Sequence, residues 1–265
     1  MIRTPMESTL RARREAGAKL LVPYLVGGMA EDWVESLQAV VAAGADAVEV
    51  GIPFSDPMMD GPVIQEASMA ALSRGTTPQQ VIDAVGEAGL EVPVAVMTYY
   101  NLVFRCGHRR MARSMASAGI GAAIVPDLPL EEIGPWAGEA DAAGVETVLL
   151  VAPSTPTDRV EKVCRRSRGF VYAVARMGVT GERAALGPSA GGVVARVRAA
   201  TDMPVCVGVG VSTPEQAVEA CRTADGVIVG SAIVRRLLED GGPDAAAELV
   251  SDLRASLDAG WPPRP

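Results

Sequence analysis

The chain holds a single histidine, His108, and two lysines, Lys19 and Lys162, in 265 residues. With one imidazole, a metal site would have to rest on carboxylates or thiols, and no such cluster stands out. Schiff-base chemistry needs a lysine at the active site. Here Lys19 precedes the first predicted strand and Lys162 falls in a helix, so neither is placed for it. The four cysteines, Cys106, Cys164, Cys206 and Cys221, show no CxxC spacing. Cys206 falls in a predicted buried strand and Cys221 in a helix, and without a secretory pattern all four read as free thiols of a reducing cytoplasm. Residues 1–14 carry no apolar run of signal-peptide length, and no stretch approaches the ~20 apolar residues of a membrane span. No GxGxxG follows the first predicted strand, where Gly27-Gly28-Met29 stands instead, which argues against a doubly wound nucleotide-binding sheet. No linker rich in proline, glycine or serine divides the chain, so residues 1–265 read as one domain with a frayed tail.

What is present suits a large α/β core. Apolar residues make up 49% of the chain and charged residues 21%, enough of the first and few enough of the second to exclude a disordered protein. The net charge of −8 argues against a nucleic-acid or membrane surface. Arginine clusters near residues 11–14, 105–113 and 165–168 read as solvated helix faces. One pattern recurs: a helix ending in a small pair such as Ala43-Gly44, Ala118-Gly119 or Ala143-Gly144, then a short run rich in Val, Ile and Leu. Glycine just past a helix accepts the left-handed turn that stops it, and an unbroken aliphatic run suits a strand buried on both faces. Eight such strands are predicted near 20–26, 47–51, 94–99, 122–126, 147–151, 170–175, 205–208 and 226–230. Strand and helix alternating eight times predict a single (β/α)8 barrel, with an extra N-terminal helix and a short phosphate-binding helix after strand eight.

Function in such barrels sits at the C-terminal ends of the strands. In Ala47-Val48-Glu49-Val50-Gly51 the alternation turns Glu49 into the barrel mouth between small neighbours, with the valines toward the helices. A buried carboxylate is costly unless paired or used, which leaves two readings, a structural ion pair or a catalytic acid/base. The next loop, Pro53 to Pro62, brings Asp60, a turn residue if taken alone. Together the two carboxylates can divide acid and base roles. Glycines after strands six, seven and eight (Gly178 and Gly181, Gly208 and Gly210, Gly230 before Ser231) suit a phosphate cradle, with Ser231 capping the short helix. Residues 177–188, without apolar periodicity, suit an active-site lid. Met58 and Met59 either fold back as local core or form a contact for a partner. With no suitable lysine and no metal cluster, carbon–carbon cleavage would need a substrate that stabilises its own carbanion, as an indole ring does at C3.

These motifs, in order, resemble the tryptophan synthase alpha chain family: Pro53-Phe54-Ser55-Asp56-Pro57 through Asp60-Gly61-Pro62-Val63-Ile64-Gln65, Tyr99-Tyr100-Asn101-Leu102-Val103-Phe104, Asp127-Leu128-Pro129, Gly178-Val179-Thr180-Gly181 and Gly230-Ser231-Ala232-Ile233-Val234. The resemblance covers about residues 20–240. It implies retro-aldol cleavage of indole-3-glycerol phosphate to indole and glyceraldehyde 3-phosphate in tryptophan biosynthesis. Glu49 would move protons between the glycerol hydroxyl and indole C3, and Asp60 would accept the indole N–H. Tyr99 and Tyr172 would line the pocket, Thr180 of the lid would hold Asp60, and Gly181, Gly210, Gly230 and Ser231 would receive the phosphate. It further implies no cofactor on this chain, a pyridoxal-phosphate β subunit as partner in an α2β2 assembly, and a cytoplasmic setting. A stand-alone lyase supplying free indole, another phosphate-binding barrel enzyme such as a sugar-phosphate isomerase, and a non-catalytic activating subunit are the alternatives. The sequence departs from the family at Gly27-Gly28-Met29-Ala30, where Gly-Asp-Pro is usual, and at Tyr24 and Val209, where phenylalanine often lines the pocket.

Overall fold

The structure, a computed structural model, describes residues 4–174, 188–239 and 241–261. Its elements run α1 (Met6–Glu15), β1 (Leu20–Val26), α2 (Trp33–Ala42), β2 (Val48–Gly51), α3 (Pro62–Ser73), α4 (Pro78–Glu87), β3 (Val94–Met97), α5 (Tyr100–Cys106), α6 (His108–Ser117) and β4 (Ala122–Ile124). They continue with α7 (Gly134–Ala143), β5 (Glu146–Val151), α8 (Thr157–Arg166), β6 (Val171–Val174), α9 (Pro188–Ala200), β7 (Val205–Gly208), α10 (Pro214–Cys221), β8 (Gly226–Val229), α11 (Ser231–Leu238) and α12 (Gly242–Gly260). The eight strands pair in parallel, each with its successor, and β8 closes on β1. Every predicted strand is present.

Local chemistry explains the boundaries. Thr77 caps α4 in a reciprocal box with Gln80, and Pro78 fills the first helical position, where no N–H is needed. Gly144 ends α7 at φ 75°, a left-handed turn that an L side chain resists. β1, β2, β4 and β8 are buried along their whole length, as strands sandwiched between a barrel interior and a helical shell must be. No described helix is long and apolar enough to cross a membrane.

α1 lies across the N-terminal end of the barrel. Its start is held by the carboxylate of Glu146, at the head of β5, which accepts the Met6 N–H at 2.7 Å, and Met6 and Leu10 are fully buried. Its far end corrects one sequence expectation, because the arginines near residues 11–14 are not a purely solvated face. Arg13 reaches the buried Asp46 at 2.6 Å, and Arg14 lies 3.6 Å from the buried Asp225. Each aspartate also accepts a backbone N–H, Asp46 from Leu21 and Asp225 from Val205, and a second arginine, Arg254 and Arg198 respectively. Sequence alone could not pair residues that only barrel closure brings together. Neither lysine is at the mouth: Lys19 donates to the Ala224 carbonyl at the N-terminal end, and Lys162 is on the exposed face of α8 beside Asp158.

Candidate active site

A cavity of about 570 Å³ opens at the C-terminal ends of the strands, lined by Tyr24, Glu49, Asp60, Met97, Tyr172, Gly208, Gly210, Gly230 and Ser231 among others. A wider groove of about 1260 Å³ lies on the outer surface among residues of α4, α6 and α7. It holds no strand-end residue, and its Arg109 is already paired with Glu139. The smaller cavity is where polar groups converge.

Glu49 is fully buried on β2, and neither carboxylate oxygen has a hydrogen-bond partner among the described residues. Burial, then the nearby charge of Asp60, push its pKa up from 4.5 to about 8. The group is therefore mostly protonated at neutral pH and able to donate a proton. Among the described residues no arginine or lysine meets it, which speaks against the structural ion-pair reading left open by the sequence.

Asp60 is half-buried in the loop between β2 and α3. Burial raises its pKa, and a hydrogen bond from the Tyr99 hydroxyl opposes that rise. The same hydroxyl accepts the Met59 N–H at 3.0 Å, and the Tyr99 ring stacks on Phe54 with centroids 5.0 Å apart. Tyr99 therefore grips the loop at Phe54, at Met59 and at Asp60 itself. It is fixed in turn by its neighbour, since the Tyr100 N–H donates to the Asp127 carboxylate at 2.9 Å. Asp127, in the loop after β4, thereby caps α5 just past Tyr99. Asp127 was legible as part of a motif, but its support of Tyr99 was not.

Tyr172 on β6 lines the cavity, its ring lying over Gly208. Gly210, after β7, has φ 75°. Gly230 is the N-cap of α11, whose first N–H groups have no intrahelical acceptor and can meet an anion. Ser231 corrects a second expectation: it is the first helical residue, not the cap, and makes no side-chain cap hydrogen bond. Val209 is buried in the core, so the wall at this point is made by the glycines on either side of it. Thr180, Gly181 and residues 177–187 of the expected lid lie outside the described residues. In the departing first loop, a side chain at Gly28 would meet Thr76 Oγ1 at 2.3 Å, so glycine lets that loop pack closely there.

Met58 and Met59 do not fold back as core. They are 89% and 58% exposed, and Phe104 on α5 is 66% exposed. Tyr24 lines the cavity, as its place at a pocket-lining family position suggested, whereas sequence reading missed Ile64, Met97, Leu150 and Ile228. Strand alternation hints at them, but only the pairing register sets Tyr24 beside Glu49.

A profile described as the tryptophan synthase alpha chain matches residues 10–257. The chain is 47% identical to the tryptophan synthase alpha chain of Halorhodospira halophila, over 93% of this chain and 91% of that one. It is 43% identical to that of Thermobifida fusca, over 97% of each. Among solved structures, tryptophan synthase from M. tuberculosis in an aminoacrylate- and BRD0059-bound form superposes with a TM-score of 0.86 at 35% identity, over 96% of this chain and 98% of that one. The tryptophan synthase subunit alpha from Legionella pneumophila does so with a TM-score of 0.87 at 30% identity, over 96% and 98%.

Proposed function

The chain belongs to the tryptophan synthase alpha chain family, lyases that cleave indole-3-glycerol phosphate, and we propose that Glu49 and Asp60 divide that chemistry here. The products are indole and glyceraldehyde 3-phosphate. The observation that carries the assignment is Glu49 itself, a fully buried carboxyl group with neither oxygen paired among the described residues, at the wall of the cavity.

Glu49 enters protonated and delivers its proton to indole C3. Positive charge then develops at the ring nitrogen, whose N–H points to the Asp60 carboxylate, and that charge is stabilised more in the transition state than before it. Glu49, now a carboxylate, takes the proton of the hydroxyl on the carbon attached to C3. The carbon–carbon bond breaks, its electron pair restores the aromatic ring, and an aldehyde is left. The net change is one proton moved from oxygen to carbon, so no metal or lysine is called for. The phosphate rests on the backbone of Gly210, Gly230 and Ser231, as glycine and a helix N-terminus allow. Thr180 and Gly181 are assigned to the same substrate, through the lid and the phosphate respectively.

The partner is a tryptophan synthase β subunit carrying pyridoxal phosphate, in an α2β2 assembly in the cytoplasm. The exposure of Met58, Met59 and Phe104 supports a docked partner over a stand-alone lyase, because large apolar side chains gain nothing from water. The test is indole release from indole-3-glycerol phosphate by the purified chain across pH. We expect kcat/KM to fall above about pH 8, as Glu49 loses the proton it must donate, and to fall in acid, as Asp60 is neutralised. A rate that keeps rising above pH 9 would remove Glu49 as the acid.

A further inference from the structure

Three tyrosines line or border the cavity, and only one has its hydroxyl engaged. Tyr99 is bound to Met59 and Asp60, whereas the hydroxyls of Tyr24 and Tyr172 have no hydrogen-bond partner among the described residues. Tyr24, only 8% exposed, is opposite Glu49 in the β1–β2 register. Its ring runs two residues toward the mouth, and a Cβ on Gly51 would stand 2.2 Å from its hydroxyl. Glycine at 51 is what makes room for that oxygen. On its other side, Cδ1 of the ring would lie 3.2 Å from a Cβ on Gly230, the N-cap of α11. Tyr24 thus spans the distance between the proton donor and the helix N-terminus assigned to the phosphate. Tyr172 repeats the arrangement over Gly208, where a Cβ would meet its hydroxyl at 2.7 Å.

A substrate with its ring at Asp60 and its phosphate at Gly230 must lay its three-carbon chain, with two hydroxyls, across this stretch. We propose that the Tyr24 hydroxyl hydrogen-bonds a glycerol hydroxyl of the substrate, holding the chain over Glu49, so that Tyr24 is a substrate-contacting residue selective for a hydroxylated chain. The inference rests on the function assigned above. Its chemical basis is the match between a phenol with no protein partner and a substrate segment that would otherwise lose its hydrogen bonds to water on entry.

The experiment compares wild type with Tyr24→Phe, which keeps the ring and its packing. Two measurements are made: kcat/KM for indole-3-glycerol phosphate, and the inhibition constant of an unreactive analogue with the same indole and phosphate but a three-carbon chain without hydroxyls. The expected result is a roughly 3- to 10-fold loss of kcat/KM for the substrate, the worth of one hydrogen bond, with the analogue bound equally by both proteins. Equal kcat/KM in the two proteins, or an equal weakening of substrate and analogue, would overturn the inference while leaving the assigned reaction in place. A wild-type chain that makes no indole would overturn both.

Discussion

Asp46 and Glu49 are three residues apart in the chain, both are almost wholly buried, and the fold treats them in opposite ways. Asp46 lies just before β2, at the N-terminal end of the barrel. It receives Arg13 at 2.6 Å, Arg254 at 3.1 Å and the Leu21 N–H at 2.8 Å. Glu49 lies inside β2 toward the mouth and receives nothing from the described residues. Asp225, before β8, repeats the Asp46 arrangement with Arg14, Arg198 and Val205. A carboxylate with its charge and hydrogen bonds answered holds elements together, here tying α1, α9 and α12 to the strand ends. A carboxyl group left unanswered stays reactive because nothing but a ligand can complete it. On the proposed reading, the two ends of one barrel carry stability and chemistry separately.

The largest effect that would test this contrast is at Glu49. Glu49→Gln should lower kcat by about 10²–10⁴-fold with little change in substrate binding, measured by indole release and by analogue affinity. The same variant should be more stable than the parent at alkaline pH. Because Glu49 titrates near 8 in the folded chain and near 4.5 when exposed, it is protonated in both states below pH 4.5 and costs nothing there. Between pH 4.5 and 8 the unfolded chain releases the proton while the native chain keeps it, so stability falls as pH rises. The penalty is complete above pH 8. Glutamine has no such proton, so denaturant titrations should show a gain that grows through that window and reaches on the order of a few kcal/mol. A loss of stability at pH 9 would mean that Glu49 is paired after all.

Asp46→Ala should do the reverse. Leaving the buried Arg254 without this partner should cost about 3 kcal/mol of stability, read by denaturant midpoint, while kcat of the folded fraction stays within twofold. A large loss of kcat with stability intact would erase the distinction between the two ends.

A smaller effect is expected at the grip on Asp60. Tyr99→Phe removes one hydroxyl that holds both Met59 and Asp60, so the loop should loosen by roughly 1 kcal/mol and kcat should fall more than binding. Unchanged kinetics would show that the loop is placed without it, by Phe54 and by Gln65, whose side-chain amide donates to the Asp60 carbonyl at 2.9 Å. The smallest effect on the isolated chain is expected from Met58→Ser combined with Met59→Ser, which should leave its own indole production roughly unchanged. Added β subunit should then bind more weakly and activate less, as measured by titration with and without the partner. Equal activation of variant and parent would free the methionines from any contact role.

Much of this was legible in the residues. The aliphatic runs, the glycines after helices and the alternation around Glu49 were enough for eight strands, their order and an inward carboxyl group, because each follows from a local period or a local turn. The Asp60 loop was legible from its motif. What the residues did not disclose were relations across long separations: Arg13 with Asp46, Asp127 behind Tyr99, and the Tyr24 ring over Gly51. Ser231 also belonged to this class, since one residue of helix onset decides whether a serine caps a helix or begins it.

By itself, then, the sequence determined a parallel barrel, the direction Glu49 faces and the glycine loops here proposed for a phosphate, since backbone period and glycine stereochemistry act within a few residues. The tertiary structure alone decided which buried carboxylates are answered and which is not, among the described residues. It also decided that Met58 and Met59 face solvent and that the Tyr24 ring, opposite Glu49, lies over Gly51 and beside Gly230. Closing β8 onto β1 fixes a register between distant segments, and burial, pairing and pKa are properties of that register rather than of any one stretch of chain.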